Sequence, residues 1–498
     1  MKKDIKKTTI FSISCVTITA ILVIIMFAST FYFKDKNEVI LSDGMSIAMY
    51  VDNNEVANLN DVPSGYVIDT TQSYCYKTDR NTPDTGAILQ TNGSGEHIIG
   101  NLVKNEKCML YFKPSLATWL VNSAPRSGID AVSSSNWILT SDHTNEWRYA
   151  GKNPDNYIQF NGELWRIIGV MPNMTYCTGT YGNANECNTT ATGSLVKIIR
   201  NQTINGSNMR WDYKTTAVGS ATSGYGSNDW SDSQLMLMLN GTNYLKTGYD
   251  VNGNQLHTSY TITSNVVAGN NRNYYNASYS YLDGNGTTVY VPSQASAAQN
   301  GYTATSGTLT KKIEASALSK IATVKWDLYG TNSDTTAAEG SPSAFYNKER
   351  NINSLGAVYT NSSLLENRPV YWYGKIGLMY PSDYGYATNG GSTYNRSVCL
   401  NYQMSGWNSD SYKTDCAANS YLWYRNITST APGTSGNSSF TLSPRSSYAY
   451  QVFSVDSSGK INVPTCSNNL GVRPVLYLKA DTIFTGGSGT WNDPYTIV

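Results

Sequence analysis

Apolar residues follow two different patterns along this chain. The first is one unbroken stretch: from Thr8 to Phe33 no residue is charged, and 20–27 is almost wholly aliphatic. About 20 apolar residues span a bilayer as a helix. Lys2, Lys3, Lys6 and Lys7 precede the run and hold the N-terminus in the cytoplasm. The pattern predicts a cytoplasmic tip over 1–7 and an uncleaved transmembrane helix over 8–33, a single pass with everything after it extracellular. A cleaved signal has an apolar core of roughly 7–15 residues and small residues at the cut. Here the run is longer, and Ala28-Ser29-Thr30 is followed by Phe31-Tyr32-Phe33. Cys15, in the first half of the run, reads as lipid-embedded packing rather than a lipoprotein cysteine.

The second pattern is short alternation broken by turn residues. Residues 34–62 read as a polar stalk or edge strand, 63–115 as a small β module, and 116–145 as a connector with little periodicity. The main domain is placed at 146–498. It opens on a hairpin, 156–160 and 163–170, joined by Asn161-Gly162, a pair suited to a turn that needs positive φ at both positions. Helical spacing is read over 231–239, capped by Ser231 or Asp229, and over 311–329. Residues 241–310 and 330–365 read as loop insertions. Strands are expected at 374–380, 421–424 and 471–478, a short helix after Pro381, and a hairpin at 451–463.

Composition agrees with an extracellular setting. Only 14% of residues are charged, while Tyr (38) and Gly (41) are heavily used. Aromatics at 12% argue against disorder. The net charge is +1, of which the tip contributes +3 (four Lys, one Asp), leaving about −2 for the rest. No basic surface is implied, which excludes nucleic acid and counts against polyanions. The partners expected are the lipid bilayer through 8–33 and an extracellular glycan or protein. No pair among the seven later cysteines has CxxC spacing, so disulfides are the reading. Proximity pairs Cys75 with Cys108, Cys177 with Cys187 and Cys399 with Cys416. Cys466 is left over, either buried or competing for Cys399 or Cys416.

The order of landmarks resembles a known group. It runs from a W-R-I-I-G-V hairpin through W-S-D-S-x-L-M-x-x-L-N and G-L-M-Y-P-S-D-Y-G-Y-A to a final G-V-R-P-V-L-Y-L strand. Over about 146–480 this is similar to an uncharacterised family of extracellular domains from low-GC Gram-positive bacteria, itself similar to the formylglycine-generating-enzyme and C-type-lectin-like fold group. The resemblance implies an α+β domain with long loops, and fold alone does not assign function. The enzyme branch needs two close cysteines near the C-terminal part. Cys399 and Cys416 are 17 apart and better explained as a loop-closing bridge, so its activity is not carried over. The lectin branch binds Ca²⁺ through a W-N-D loop. Trp491-Asn492-Asp493 is present but follows the last strand, leaving Asn492 and Asp493 as calcium candidates and no other cofactor expected.

Among single residues, Arg473 lies in an apolar strand and needs a buried partner, for which Asp383 or Glu163 is the candidate. The three histidines are scattered in polar loops. Asp383 with Asp410 or Asp415 is the one carboxylate pair to consider. The density of Tyr and Trp over 371–424 is more informative. Alternation sends Trp372 and Trp423 to the core. Tyr402, Trp407 and Tyr412 lie in the Cys399–Cys416 loop among Asn, Ser and Gly, as ligand-binding aromatics do. With Asp383 they form the candidate ligand site. The functional expectation is an anchored, adhesin-like binding protein; an envelope enzyme or a structural spacer is the alternative.

Overall fold

The Asn161-Gly162 turn sits at the centre of the architecture. In this computed structural model both residues take positive φ, 55° and 70°, so the turn matches the right-handed twist of its strands. It joins Tyr157–Phe160 to the long strand Glu163–Cys177. That strand pairs antiparallel along its length with Thr190–Arg200, with register shifts between Ile167 and Gly169 and between Met171 and Met174. At Gly169 an added Cβ would lie 2.2 Å from the Trp147 carbonyl oxygen, so the neighbouring strand can approach only a glycine.

The structure describes residues 44–77, 82–92, 95–123, 146–178, 189–204, 208–212, 226–230, 233–240, 313–357, 370–423 and 438–498, with short pieces at 10–11, 31–33, 39–40, 137–140, 181–183, 186–187, 279–282 and 288–291. These form a mixed α+β chain, rich in sheet and clipped by disulfides. The main sheet has nine strands around the long hairpin. Val475–Leu478 pairs with Thr190–Arg200 on one side and with Ile376–Gly377 on the other. A five-stranded sheet is built from Asn208–Arg210, Asn469–Gly471, Ser439–Pro444, Val452–Val455 and Ile461–Asn462. The expected 471–478 strand is therefore two strands in two sheets. Pro474 lies between them; it has no N–H to give a ladder, and its carbonyl accepts from Arg200 N at 2.9 Å.

The small module is larger than its sequence signal. Ser46–Val51, placed by sequence in the stalk, pairs in parallel with Lys107–Pro114. That strand alternates as expected, with Cys108, Leu110 and Phe112 buried, and pairs antiparallel with Tyr66–Ile68 and Tyr74–Tyr76. Cys75 and Cys108 face each other across the last pair and are bonded. A hairpin, Ile88–Thr91 with His97–Gly100, completes the module. The connector begins as a helix, Leu116–Ser123. Leu116, Ala117 and Leu120 enter the main core, and Trp119 stacks on Phe484 with ring centroids 3.6 Å apart.

Other expectations are revised by packing. The 231–239 helix is Gln234–Asn240, and its cap is Ser233, whose hydroxyl accepts from Met236 N. Asn240 pins its end to the main sheet, accepting from Ile376 N and donating to Ile376 O. Among the described residues of 311–329 only Ala315–Leu318 is helical, and Val324–Asp327 is a strand against Tyr371–Gly374; a waiting partner strand outweighs the spacing. Within the 330–365 insertion, Pro342–Glu349 is a helix capped by Ser341. Tyr421–Trp423 is a buried turn rather than a strand. The 241–310 insertion lies outside the described residues except for a hairpin of Tyr279–Leu282 with Thr288–Val291.

No helix among the described residues is long and apolar enough to cross a membrane. Most of 8–33 lies outside the described residues, and its two described pieces, Ile10–Phe11 and Phe31–Phe33, are short paired strands.

The module and main domain bury separate apolar cores. The double substitution Cys75→Ser/Cys108→Ser, across a separation of 33 residues, is expected to cost the module roughly 2–4 kcal/mol. In urea, near-ultraviolet dichroism should then show the module unfolding at lower denaturant while the main-domain transition stays in place. One shared, shifted transition would show that the two cores unfold together.

Candidate functional site

Four places carry chemistry. The deepest is a buried charge network. Asp383 sits in the first turn of the helix Pro381–Tyr386, where its carboxylate accepts from Tyr380 N at 2.8 Å and so caps the helix. Its oxygens also take Arg148 Nη1 at 2.8 Å and Lys197 Nζ at 2.5 Å. Arg148 reaches on to Glu146, which also accepts from the Tyr346 hydroxyl. Glu349 accepts from Ser382 and pairs with Arg350 at 3.2 Å. Tyr380, Tyr477 and Trp326 surround the Lys197 ammonium at 4.7–5.9 Å.

Burial alone would raise the Asp383 carboxyl, but Lys197 and Arg148 outweigh it and hold the group well below the usual carboxylate range. Burial pushes Lys197 down to about 8 against the pull of Asp383. Arg148, Lys197 and Asp383 are all at most 1% exposed, so no solute reaches them. This corrects Asp383 as a ligand-binding residue and as one half of a carboxylate pair. It also removes Asp383 as the partner of Arg473. Glu163 is bound by Arg200, and Arg473 donates to the carbonyls of Arg200 and Leu422.

The second place is the loop closed by Cys399–Cys416. All three expected disulfides are formed, and Cys466 is buried outside them. Trp407 is wholly buried, tilted against Tyr384 at 5.4 Å. It is core, contrary to its reading as an exposed binding aromatic. Tyr402 and Tyr412 do come together: Tyr412 stacks on Tyr402 at 3.7 Å and on Tyr394 at 4.2 Å, forming a half-buried ladder of three rings. Asp415 holds the loop by accepting from Thr393 N and Tyr394 N.

The third is the terminal turn. Asn492 and Asp493 are exposed, with the Asp493 carbonyl accepting from Ser488 N. Among the described residues neither belongs to a group of potential metal ligands; the single such group is Cys75, Glu106 and Cys108, whose cysteines are bonded to each other.

The fourth was not anticipated. Where the hairpin Ile88–Thr91/His97–Gly100 overhangs the main sheet, two cavities of about 610 and 420 Å³ meet at Asn92 and Ala480. The larger runs between Tyr66 and His97 of the module and Thr192 and Ser194 of the main sheet, over Ser115 and Thr118. The smaller passes Tyr176, Thr178 and Thr323 to Lys375, Lys479 and Asp481. Burial lowers His97 to about 4, so it is neutral at physiological pH. Thr192 and Ser194 point outward by strand alternation, while Leu195 turns in. The 190–200 alternation held the signal, but the facing wall comes from residues about a hundred positions earlier.

Comparison with known proteins finds no matching family model, no matching curated protein and no matching solved structure.

Asp383→Asn leaves Lys197 and Arg148 with less counter-charge in a dry interior, and is expected to destabilise the main domain by about 3–5 kcal/mol. Because the Asp383 carboxyl titrates below its ordinary value, its contribution is full above about pH 4 and disappears only as pH falls through the depressed value. Thermal melts should show a constant gap between wild type and variant from pH 7 to 4 that narrows at lower pH. A gap already closing at pH 6 would refute the assignment. Trp407→Ala is expected to cost about 3–5 kcal/mol, whereas Tyr412→Ala should cost far less; equal melting temperatures for the two would contradict the burial of Trp407.

Proposed function

We propose that this protein recognises an extracellular glycan, held in the groove between the small module and the main domain. The observation that carries this is the lining. Asn60, Ser64, Asn92, Ser115, Thr118, Thr192 and Ser194 line the larger cavity beside Tyr66, and Thr178 and Thr323 line the smaller beside Tyr176; ligand sites favour such concave junctions. The larger cavity's walls are neutral and hydrogen-bonding, which suits a neutral, hydroxyl-rich ligand. The ionisable groups of the interior network satisfy one another and are closed to solvent, which supports binding over catalysis. In this reading residues 8–33 anchor the chain in the cell membrane, and the rest is displayed outside on a C-type-lectin-like domain. Three disulfides over short separations of 10, 17 and 33 residues fit an oxidising compartment.

A protein ligand at the Tyr394–Tyr412–Tyr402 ladder is the second reading. It is favoured by half-exposed tyrosines on a disulfide-held loop, a composition common at protein contacts.

The test is an oligosaccharide array probed with the full chain in detergent, beside Ser194→Trp. Ser194 is exposed on the groove wall, so this substitution should fill the groove with little effect on melting temperature. A saturable hit weakened at least tenfold by Ser194→Trp supports the groove. A hit unchanged by Ser194→Trp and lost in Tyr412→Ala moves the site to the ladder. No hit on folded protein removes the glycan reading.

A further inference from the structure

His97 lines the larger cavity from the module side, and its hydrogen bonds fix which ring nitrogen carries the proton. Thr91, itself buried, accepts at Oγ1 from Ile68 N at 2.8 Å and lies 2.9 Å from His97 Nδ1. Among the described residues Nδ1 is the one acceptor within reach of the Thr91 hydroxyl proton. Nδ1 therefore accepts, and a neutral imidazole that accepts at Nδ1 carries its hydrogen on Nε2. The ring is neutral, because burial lowers it to about 4, and it packs edge-on against Phe112 with centroids 4.8 Å apart. Nε2 has no hydrogen-bond partner among the described residues and is not sealed from solvent. The cavity thus meets an N–H donor held in place. Two neighbours are equally committed. Tyr66 gives its hydroxyl proton to Asp52 Oδ2 at 2.9 Å, so toward a ligand that oxygen only accepts. Thr118 Oγ1 accepts from Ser115 Oγ at 3.1 Å, so its own proton is left to donate. Leu59, Val62, Pro63 and Ala117 supply apolar wall to the same cavity.

We infer that the larger cavity binds the acetamido group of an N-acetylated amino sugar, with the His97 imidazole as the donor to its carbonyl. The inference rests on the groove reading above and names its ligand class. An acetamido group needs a donor for its carbonyl, an acceptor for its N–H and apolar surface for its methyl, and the lining offers all three. A plain hydroxyl would also accept from Nε2, but it leaves the apolar wall facing water. An enclosed N–H without a partner costs free energy that a matching acceptor recovers, and a site built around such a group rejects analogues that lack it. Among the described residues no charged side chain lines this cavity, which favours a neutral amide over an acid or an amine. Protonation supplies a signature. Tyr66 is the other titratable group lining the cavity, and His97 stays neutral far below the ordinary histidine value of 6.5. Affinity is therefore flat from pH 8 to about 5. It falls only as pH drops through about 4, where a proton on Nδ1 displaces the Thr91 hydroxyl.

The experiment titrates the full chain in detergent calorimetrically with chitotriose, the trimer of N-acetylglucosamine, and with cellotriose, which has a hydroxyl in place of each acetamido group. Chitotriose should bind saturably, roughly tenfold or more tighter than cellotriose, with affinity unchanged between pH 8 and pH 5. His97→Phe keeps a ring against Phe112 and loses the donor; it should weaken chitotriose roughly tenfold and leave cellotriose unchanged. His97→Gln, whose amide nitrogen reaches the place of Nε2, should recover part of the loss. Folding is checked by melting; if His97→Phe fails to fold, Thr118→Val decides, with a loss confined to chitotriose. Equal affinity for the two trimers, indifference of chitotriose to the donor substitution, or a change of affinity centred near pH 6.5 overturns the inference. If both trimers bind equally and both are lost in Ser194→Trp, the groove survives and only the acetamido specificity falls. If neither binds, the acetamido reading falls, and a hit elsewhere on the array that Ser194→Trp weakens keeps the groove.

Discussion

Asp383 sets the constraint on which the main domain depends. Its carboxylate joins the strand Glu146–Tyr149 through Arg148, the strand Thr190–Arg200 through Lys197, and its own helix through Tyr380 N. Two strands and a helix 186 and 235 residues further along the chain, counted from Lys197 and Arg148, are thereby fixed in one orientation. A buried ion pair is no certain gain in stability, since desolvation offsets much of the attraction. What it contributes is specificity. An apolar replacement would pack in several registers, whereas a carboxylate with three donors accepts few alternatives. The aromatic box of Trp326, Tyr380 and Tyr477 closes the site and makes the pairing obligatory.

That rigidity has a consequence at the other side of the sheet. Thr190–Arg200 buries Lys197 in the network and, a few residues earlier, offers Thr192 and Ser194 to the groove. The wall of the groove is thus the outer end of a strand locked from within. The opposing wall is positioned through the helix Leu116–Ser123, whose Trp119 stacks on Phe484 and meets Tyr495 edge-on. Ser115, where strand gives way to helix, also lies on the groove floor. Ser115, Ala117 and Thr118 belong to both the junction and the groove, so core packing fixes that part of the groove floor.

Local signals were legible in the sequence and distant ones were not. The Asn161-Gly162 turn, the alternation around Cys108, the helix at Pro381, the 451–463 hairpin and all three disulfides rest on residues close together in the chain. Each has a mechanism that a single sequence displays. The cap at Ser341-Pro342 was also legible, and the loop-like composition around it hid it. By contrast, Ser46–Val51 finds its parallel partner some sixty residues on, and nothing in either strand names the other. Arg473 shows the limit for single residues: a buried arginine signals a need for acceptors, and here backbone carbonyls of Arg200 and Leu422 meet part of it. Trp407 shows the same limit for aromatics, because a tryptophan among Asn, Ser and Gly has the same neighbours in sequence whether it faces water or Tyr384.

Lys375 and Lys479 illustrate why the groove escaped sequence reasoning. Each is an ordinary lysine beside an apolar strand, and a strand-end lysine is most often a solvated gatekeeper. What distinguishes them is that two strand ends converge under a hairpin supplied by another domain. Lys375 turns inward onto Ile321 O and Thr323 Oγ1 while Lys479 stays exposed, so the same local pattern has two outcomes that only the assembled fold decides. The interior network makes the contrast plain. There every cation has a carboxylate within reach, and the balance is complete without a ligand. At this end of the groove, Asp481 has Lys479 and Lys320 near it and Lys479 is open to solvent, so water shares in the balance there.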